Sequence, residues 1–417
     1  MKNILLVEDS VMFGKLVKSR IEESFDIPVY WAKDLKEAKN FLQQADGLFS
    51  CALLDYHLPD APNGEIIDEV LSYGITSLVF TTDLTAEVRE HVWSKKVADY
   101  ILKNDPSSID YIIDSINNLR KNEQKLVLVA AESNSIRTTF SELLYIRKYR
   151  VINASSGESA LQILAQYPEI KLVIVSQDLS AADGCVICQK IRMNYKSDKM
   201  AVIGVSSGED PVKGIQFLKN GANDFFSLEP FLVEEFYSRV NNCLEIIELF
   251  DQIRKTATTD YLTNLNNRRS FFELGGKLLA DAEKHNDPVA CTVMDIDKFK
   301  SVNDTYGHDV GDLVLKSIAS LLTENSLESE VLARMGGEEF CILTAGLDKE
   351  ELVERMNKLR KLFETTPVTE LEDGNHLYIT ASFGISMGVE GGLDIMIKNA
   401  DKKLYEAKEG GRNCVKF

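Results

Sequence analysis

The sequence predicts a multidomain α/β protein, with two doubly wound parallel sheets in tandem and a third domain of α+β type. Three observations predict it. The chain has 417 residues, too long for one ordinary domain and suited to two to four. Over its first two-thirds, a unit of about 120 residues with apolar strands alternating with helical stretches occurs twice. After Thr256 the pattern changes to strands separated by long helical segments.

NILLV (3–7) and LVLVA (126–130) open the two repeats, and an acid-Ser pair follows each, Asp9-Ser10 and Glu132-Ser133. CALLDYHLPD and KLVIVSQDLS hold the next matching place, then SLVFTTD and AVIGVSSGED, then VADYILKN and ANDFFSLEP. In VNNCLEIIELFDQIRK (240–255), Leu244, Ile247, Leu249, Phe250 and Ile253 recur at helical spacing. That segment reads as the last helix of the second unit extended into a connector, or as a helix paired between subunits. The third domain has strands at VACTVMDID, VLARMGGEEFCILT and LYITASFGISMG. The expected division is 1–121, 122–250 and 251–417, the last with a short N-terminal linker.

Composition sets limits. A hydrophobic fraction of 44% and a charged fraction of 27% are those of a soluble globular protein. No apolar run reaches the roughly 18 residues that a membrane span needs, so no membrane insertion is expected. MKNILLVEDS places acids directly after a short apolar run and reads as a first strand rather than a signal peptide. The expected location is the cytoplasm. A net charge of −18 argues against a nucleic-acid partner, yet leaves room for a nucleotide held through metal ions. Seven scattered cysteines include one CxxC, Cys185 and Cys188, in a helical pattern with no second pair. They read as reduced, buried thiols rather than a zinc or redox site.

In open α/β sheets, ligands sit at the carboxyl ends of strands. In the first unit Glu8 and Asp9 end the first strand, Asp55 the third, Thr81 the fourth and Lys103 the fifth. Three carboxylates gathered in one place repel one another unless a hard cation such as Mg²⁺ joins them. With a hydroxyl and an ammonium beside them they form the set that aspartyl phosphorylation requires. A single strand-end acid is more often solvated or capping a helix; three acids with a threonine and a lysine at four strand ends outweigh that reading. Residues 1–121 resemble a response-regulator receiver domain. The resemblance implies a flavodoxin-like strand order, 2-1-3-4-5, with Asp55 as phosphoacceptor. Glu8 and Asp9 join it in holding one Mg²⁺, Thr81 and Lys103 contact the phosphoryl group, Tyr100 is the switch aromatic, and a cognate sensor histidine kinase is the partner. Asn104 departs from the family, where a proline usually follows the lysine.

The second unit keeps the frame and loses the chemistry. Ser176 stands in the place of Asp55, Ala131-Glu132 replace the acid pair, and Leu228 or Glu229 replaces the lysine. Asp178 lies two residues past the strand end and is no substitute. This unit resembles a degenerate receiver, an adaptor or dimer partner.

In VMDIDKFKSVNDTYGHDVGD (293–312), Asp295 and Asp297 are one residue apart and share a face of an extended strand. A hairpin tip at GGEEF on the neighbouring strand would bring Glu338 and Glu339 beside Asp295. Gly336 and Gly337 permit positive φ and leave a phosphate unobstructed. Such a cluster suits two divalent ions bridging a triphosphate; the bland alternative is a hairpin with solubilising charges. TTDYLTNLNNRRSF (258–271), DIDKFKSVND, GHDVGD, RMGGEEF and NADKKLYEAKEGGRNCV (399–415) together tip the balance. Residues 256–417 resemble the GGDEF diguanylate cyclases, with a nucleotidyl-cyclase-like α+β fold. These join two GTP into cyclic di-GMP across a homodimer and release two pyrophosphates.

The resemblance implies two Mg²⁺ per GTP site, held by Asp295, the carbonyl of Ile296 and Glu338. Glu338 also helps to deprotonate the attacking 3′-hydroxyl, and Glu339, Lys300 and Arg334 complete the catalytic set. Asn303 and Asp312 read the guanine, while Phe299, His308, Gly336, Gly337, Lys408 and Arg412 make the remaining substrate contacts. Where relatives carry an inhibitory RxxD, this chain has LESE, with Leu327 and Glu330 in the key places. The domain order resembles PleD-like response regulators, which implies a phosphorylation-regulated diguanylate cyclase. The alternative is a non-catalytic regulator that binds GTP or cyclic di-GMP and acts through a protein partner. A transcription factor finds no recognition-helix motif and the wrong charge.

Overall fold

The structure, a computed structural model, describes residues 3–44, 47–82, 85–103, 107–179, 182–206, 208, 211–371 and 374–417. Asn104 lies outside them. The chain divides into two compact units, Met1–Phe250 and Asp251–Phe417.

The first unit holds two parallel sheets. β1 (Asn3–Val7), β2 (Val29–Ala32), β3 (Phe49–Asp55), β4 (Thr76–Thr81) and β5 (Asp99–Leu102) lie in the order β2-β1-β3-β4-β5. β6 (Leu126–Ala130), β7 (Arg150–Ala154) and β8 (Leu172–Ser176) are followed by a two-residue pair, β9 (Asp178–Leu179) and β10 (Ala182–Asp183). With β11 (Ala201–Ser206) and β12 (Asp224–Ser227) they give the order β12-β11-β8-β6-β7. Both sheets therefore have the flavodoxin-like order 2-1-3-4-5. Helices cover both faces, which is why the central strands read as unbroken apolar runs. Alternate residues serve opposite cores: Leu5, Val7, Leu54 and Val79 pack on one face, Ile4, Leu6, Leu53 and Leu78 on the other.

The two sheets are joined through one buried arginine. Arg147 follows the helix Asn134–Ile146 and is 8% exposed. Its Nε donates to the Ala98 carbonyl at 2.8 Å and its Nη2 pairs with Asp99 at 2.9 Å. Its guanidinium lies 3.8 Å from the centre of the Tyr237 ring. Around it, Arg89 and Trp93 both donate to Glu234 at 2.6 Å, and Lys96 pairs with Glu142.

The helix Val233–Thr258 runs 26 residues. Its first half buries Phe236, Tyr237, Val240, Leu244 and Ile247 in the core of the second sheet. The helix then extends beyond that core, as the connector reading expects, and Leu249, Phe250 and Ile253 on this extension are exposed.

The second unit contains β13 (Val289–Ile296), β14 (Glu330–Gly336), β15 (Glu339–Ala345), the small pair β16 (Thr369–Glu370) and β17 (His376–Leu377), β18 (Ala381–Met387) and β19 (Val415–Lys416). Its sheet runs β14-β15-β13-β18-β19. All pairings are antiparallel except β18 with β19, so the sheet is mixed, as an α+β domain allows. Met294, Phe340, Ile342 and Phe383 pack on one face with Phe363 and Leu359; Cys291, Val293, Cys341 and Leu343 pack on the other with Phe271 and Leu404. β13 is buried along its whole length, which makes it a rigid mount for whatever its end carries. At Gly384 a Cβ would collide with the backbone of the helix Gly392–Glu409. Glycine there lets the helix lie directly on β18.

Removing Arg147 strands Asp99 in a buried site. Arg147→Ala should cost about 3 kcal/mol or more in the unfolding free energy of the full chain, measured by urea denaturation. A loss below about 1 kcal/mol would show that the contact behaves as a surface pair.

Candidate functional site

β13 ends at the middle of the DID sequence. In the antiparallel register Asp295 stands opposite Glu339 on β15 and Ser382 on β18, and the Ile296 amide donates to the Glu338 carbonyl at 3.4 Å. The register thus brings both glutamates of the turn to the Asp295 end of the strand. The chain reverses through Gly336 (φ 143°) and Gly337 (φ 53°). Both values fall in the region that favours glycine, and the ladder shifts register between Arg334 and Gly336.

Asp295 is 5% exposed. Burial pushes its carboxyl above the usual range; the Lys408 ammonium, at 2.8 Å, pulls the other way, and the Glu338 and Glu339 charges push it up again. The oxygens of Asp295 and Glu338 and the Ile296 carbonyl are the hard donors that Mg²⁺ takes, and one lysine does not balance three carboxylates.

Other residues expected at the site have varied surroundings. Arg334 is folded inward: its Nε and Nη2 donate to the Gly337 carbonyl at 3.0 and 2.7 Å, and its Nη1 pairs with Asp260 at 2.9 Å. It holds the turn. Phe299 belongs to the core beneath the helix Phe299–Tyr306. Asn303, on that helix, has a buried Oδ1 with no hydrogen-bond partner among the described residues. A Cβ at residue 311 would overlap that oxygen, so Gly311 makes its room. Asp312 and His308 are exposed on the helix His308–Glu324, and Lys300 is exposed as well. Arg412 is exposed and has φ 67°. It lines a cavity of about 480 Å³ together with Lys298, Tyr306 and Tyr378.

Asp297 does not join the acid cluster. β13 stops at Ile296, so the alternation that would return Asp297 to the face of Asp295 has ended. Its carboxylate instead accepts from Thr380 Oγ1 (2.7 Å), Ser382 Oγ (2.6 Å) and the Asn413 amide (2.9 Å). The sequence reading missed Asp260, Thr380, Ser382 and Asn413. Only Asp260 and Asn413 had a signal, lying in the TTDYLT and GGRNC motifs. Glu330, in the place of the RxxD aspartate, is turned inward: it pairs with Arg355 at 2.5 Å and accepts from Thr344 Oγ1 and the Leu327 amide.

In the first sheet, Glu8, Asp9 and Asp55 offer ligand oxygens within 4.8 Å of one another. Lys103 pairs with Glu8 at 2.8 Å and Asp55 at 2.6 Å, and its ammonium lies about 5 Å from the Phe13 and Phe80 rings. Burial pushes the Glu8 carboxyl up to about 7, against the opposing pull of Lys103, and raises Asp55 for the same reason. Thr81 is buried at the end of β4. Tyr100, on β5, packs half-buried against the core that contains Leu54 and Val79.

The second sheet ends differently. Ser176 is buried where β8 ends and Leu228 follows β12. The guanidinium of Arg137 donates to the carbonyls of Ala131 and Glu132. Cys185 and Cys188 are buried, and burial pushes their thiols up to about 12 and 11. Among the described residues, no helix is long and apolar enough to cross a membrane.

Residues 257–414 match the family model described as diguanylate cyclase, GGDEF domain, and 127–240 match the response regulator receiver domain. The receiver match falls on the second sheet, the one without the acid cluster. The chain is 30% identical over 277 residues to Response regulator PleD of Caulobacter vibrioides, covering 64% of this chain and 60% of that protein. It is 36% identical over 171 residues to a diguanylate cyclase of Vibrio cholerae, covering 40% of this chain and 52% of that protein. The chain thus spans only about half to three-fifths of the length of these curated relatives. A crystal structure of a two-component system response regulator/GGDEF domain protein superposes with TM-score 0.53 at 31% identity, covering 60% of this chain and all of that one. With two sheets of receiver order, a hairpin carrying the paired glutamates and these matches, the chain belongs to the response regulators that join receiver domains to a GGDEF domain.

Proposed function

We propose that the chain is a diguanylate cyclase, condensing two GTP into cyclic di-GMP and two pyrophosphates, and that phosphorylation of Asp55 controls it. The observation that carries the reading is the end of β13, where the register sets Asp295 opposite Glu339 and the Ile296 amide on the Glu338 carbonyl, beside a turn that has no side chain to obstruct a phosphate. Asp295, the Ile296 carbonyl and Glu338 would hold Mg²⁺, which would supply the positive charge that polarises the α-phosphate and the attacking hydroxyl. Glu338 takes up the 3′-hydroxyl proton. Asn303 and Asp312 hold the guanine edge, and the unpaired Oδ1 of Asn303 is the acceptor left for it. Lys300, Lys408 and Arg412 meet the phosphates, where fixed positive charge offsets the charge that develops. Arg334 keeps the turn in shape through the Gly337 carbonyl.

Each domain binds one GTP, so the reaction needs two copies face to face in a homodimer. In this reading 1–121 receives the phosphoryl group from a sensor histidine kinase, 122–250 is the adaptor, 251–417 is the catalytic part, and the protein works in the cytoplasm. Glu8, Asp9 and Asp55 hold one Mg²⁺ in the receiver, while Thr81 and Lys103 contact the phosphoryl oxygens. The second sheet takes no part in this transfer, since Ser176 is not a carboxylate and Arg137 covers the carbonyls where the acids would stand.

Incubation with GTP and Mg²⁺ should give cyclic di-GMP by chromatography, and Glu338→Gln should slow it about 100-fold or more; bound GTP without product would favour the binding-only regulator. Asp55→Asn should remove stimulation by a fluoride mimic of the phosphoryl group. Stimulation that persists in this variant would separate the receiver from control. Because Glu330 is committed to Arg355 and Leu327 has no charge, product in the low micromolar range should leave the initial rate unchanged. Strong inhibition there would restore an inhibitory site to this surface.

A further inference from the structure

The loop after the helix Gly392–Glu409 is held in an unfavourable shape. Gly411, Arg412 and Asn413 have φ of 113°, 67° and 45°. Arg412 and Asn413 are thus consecutive non-glycine residues in the left-handed region, which persists only where the surroundings impose it. The restraints surround Arg412 on both sides. Its own amide donates to the Ala407 carbonyl at 3.0 Å. The next amide, of Asn413, donates to Asp297 Oδ2 at 2.9 Å. The Asn413 side chain accepts from Arg360 Nη1 at 2.7 Å and donates to Glu364 at 3.1 Å. Asp297 is itself tied to Thr380 and Ser382, and at 8% exposure its oxygens are filled by protein donors.

We propose that Asp297 is a positioning residue for Arg412: it fixes the left-handed turn that presents the guanidinium to the phosphate end of the nucleotide, and it does not ligate a metal. This rests on the cyclase reading for the identity of the nucleotide. The two acids of one motif thereby divide their work. Asp295 faces Lys408 and the glutamates of the turn. Asp297 fastens the C-terminal loop to the strand end that carries Asp295, so the cationic and the metal-binding sides of the site share one support. The dipeptide step between them decides this, since the strand ends between the two residues.

The test compares binding of a non-hydrolysable GTP analogue with Mg²⁺, by calorimetry, in the full chain and in Asp297→Asn, Arg412→Ala and the double variant. Asp297→Asn should weaken the analogue about tenfold, the scale of one lost charge-assisted contact. The Mg²⁺ concentration that half-saturates binding should stay at its wild-type value. The double variant should bind no worse than Arg412→Ala alone, because the two residues act through one contact. Affinity for guanosine, which has no phosphate, should not change. A raised Mg²⁺ requirement, additive losses, equal weakening of guanosine, or wild-type affinity in Asp297→Asn would each overturn the proposal. Should Asp297→Asn fail to fold, Asp297→Glu keeps the charge and moves the carboxylate off the Asn413 amide; the analogue should again weaken, and unchanged affinity would overturn the proposal. If Asp297→Asn weakens the analogue while the wild type makes no cyclic di-GMP, the cyclase reading falls and the role of Asp297 stands.

Discussion

A carboxylate buried at the end of a strand has to meet hydrogen-bond donors or positive charge, and the placing of a lysine governs both acid clusters in this chain. At the end of β13, Lys408 reaches Asp295 from the helix lying on β18. That helix lies close enough because Gly384 has no side chain. In the first sheet Lys103 reaches Glu8 and Asp55 from the end of β5. Each lysine only partly compensates the acids around it, and burial still raises Asp55 and Asp295. A site left with surplus negative charge in a low-dielectric setting is a site prepared for a divalent cation. The second sheet shows the converse. Of the three acids it keeps only Glu132, it has no lysine after its last strand, and an arginine rests against the Ala131 and Glu132 carbonyls.

How much of this could be read from the sequence follows from the kind of contact involved. Strand-end residues were legible because a parallel sheet puts its apolar runs and their terminal polar residues in a fixed relation: Glu8, Asp55, Thr81 and Lys103 needed only the repeat. The hairpin was legible from its glycines, and the loss of chemistry in the second unit from Ser176. Asp297 was misplaced because two-residue alternation was carried one step past the end of β13. Arg334 was placed at the site through the motif, but its partners were not legible: Asp260, 74 positions away, and a carbonyl three residues on. Neither partner leaves a mark on the pattern of apolar residues. The stripe through Leu249, Phe250 and Ile253 was legible as a continuation of the last helix of the second unit: the helix runs on to Thr258, past the core that stops at Ile247.

Glu330 shows how an acid can serve the frame of the domain. At the start of β14 it pairs with Arg355 and lies almost wholly inside, with 1% of its side chain exposed. The pair ties β14 to the helix Lys349–Thr365.

The junction at Arg147 bears on how the chain can be divided. The sequence contains a repeat, and a repeat invites the idea of interchangeable modules. Yet Asp99 lies in the first copy and its arginine in the second, with Tyr237 of the second copy stacked on that arginine. A chain ended near residue 121 would keep every strand of its sheet and lose the cation for a carboxylate at its edge. Duplicated in sequence, the two halves form one compact unit. Exchange of either half with that of a relative would have to carry the arginine, the aspartate and the tyrosine together.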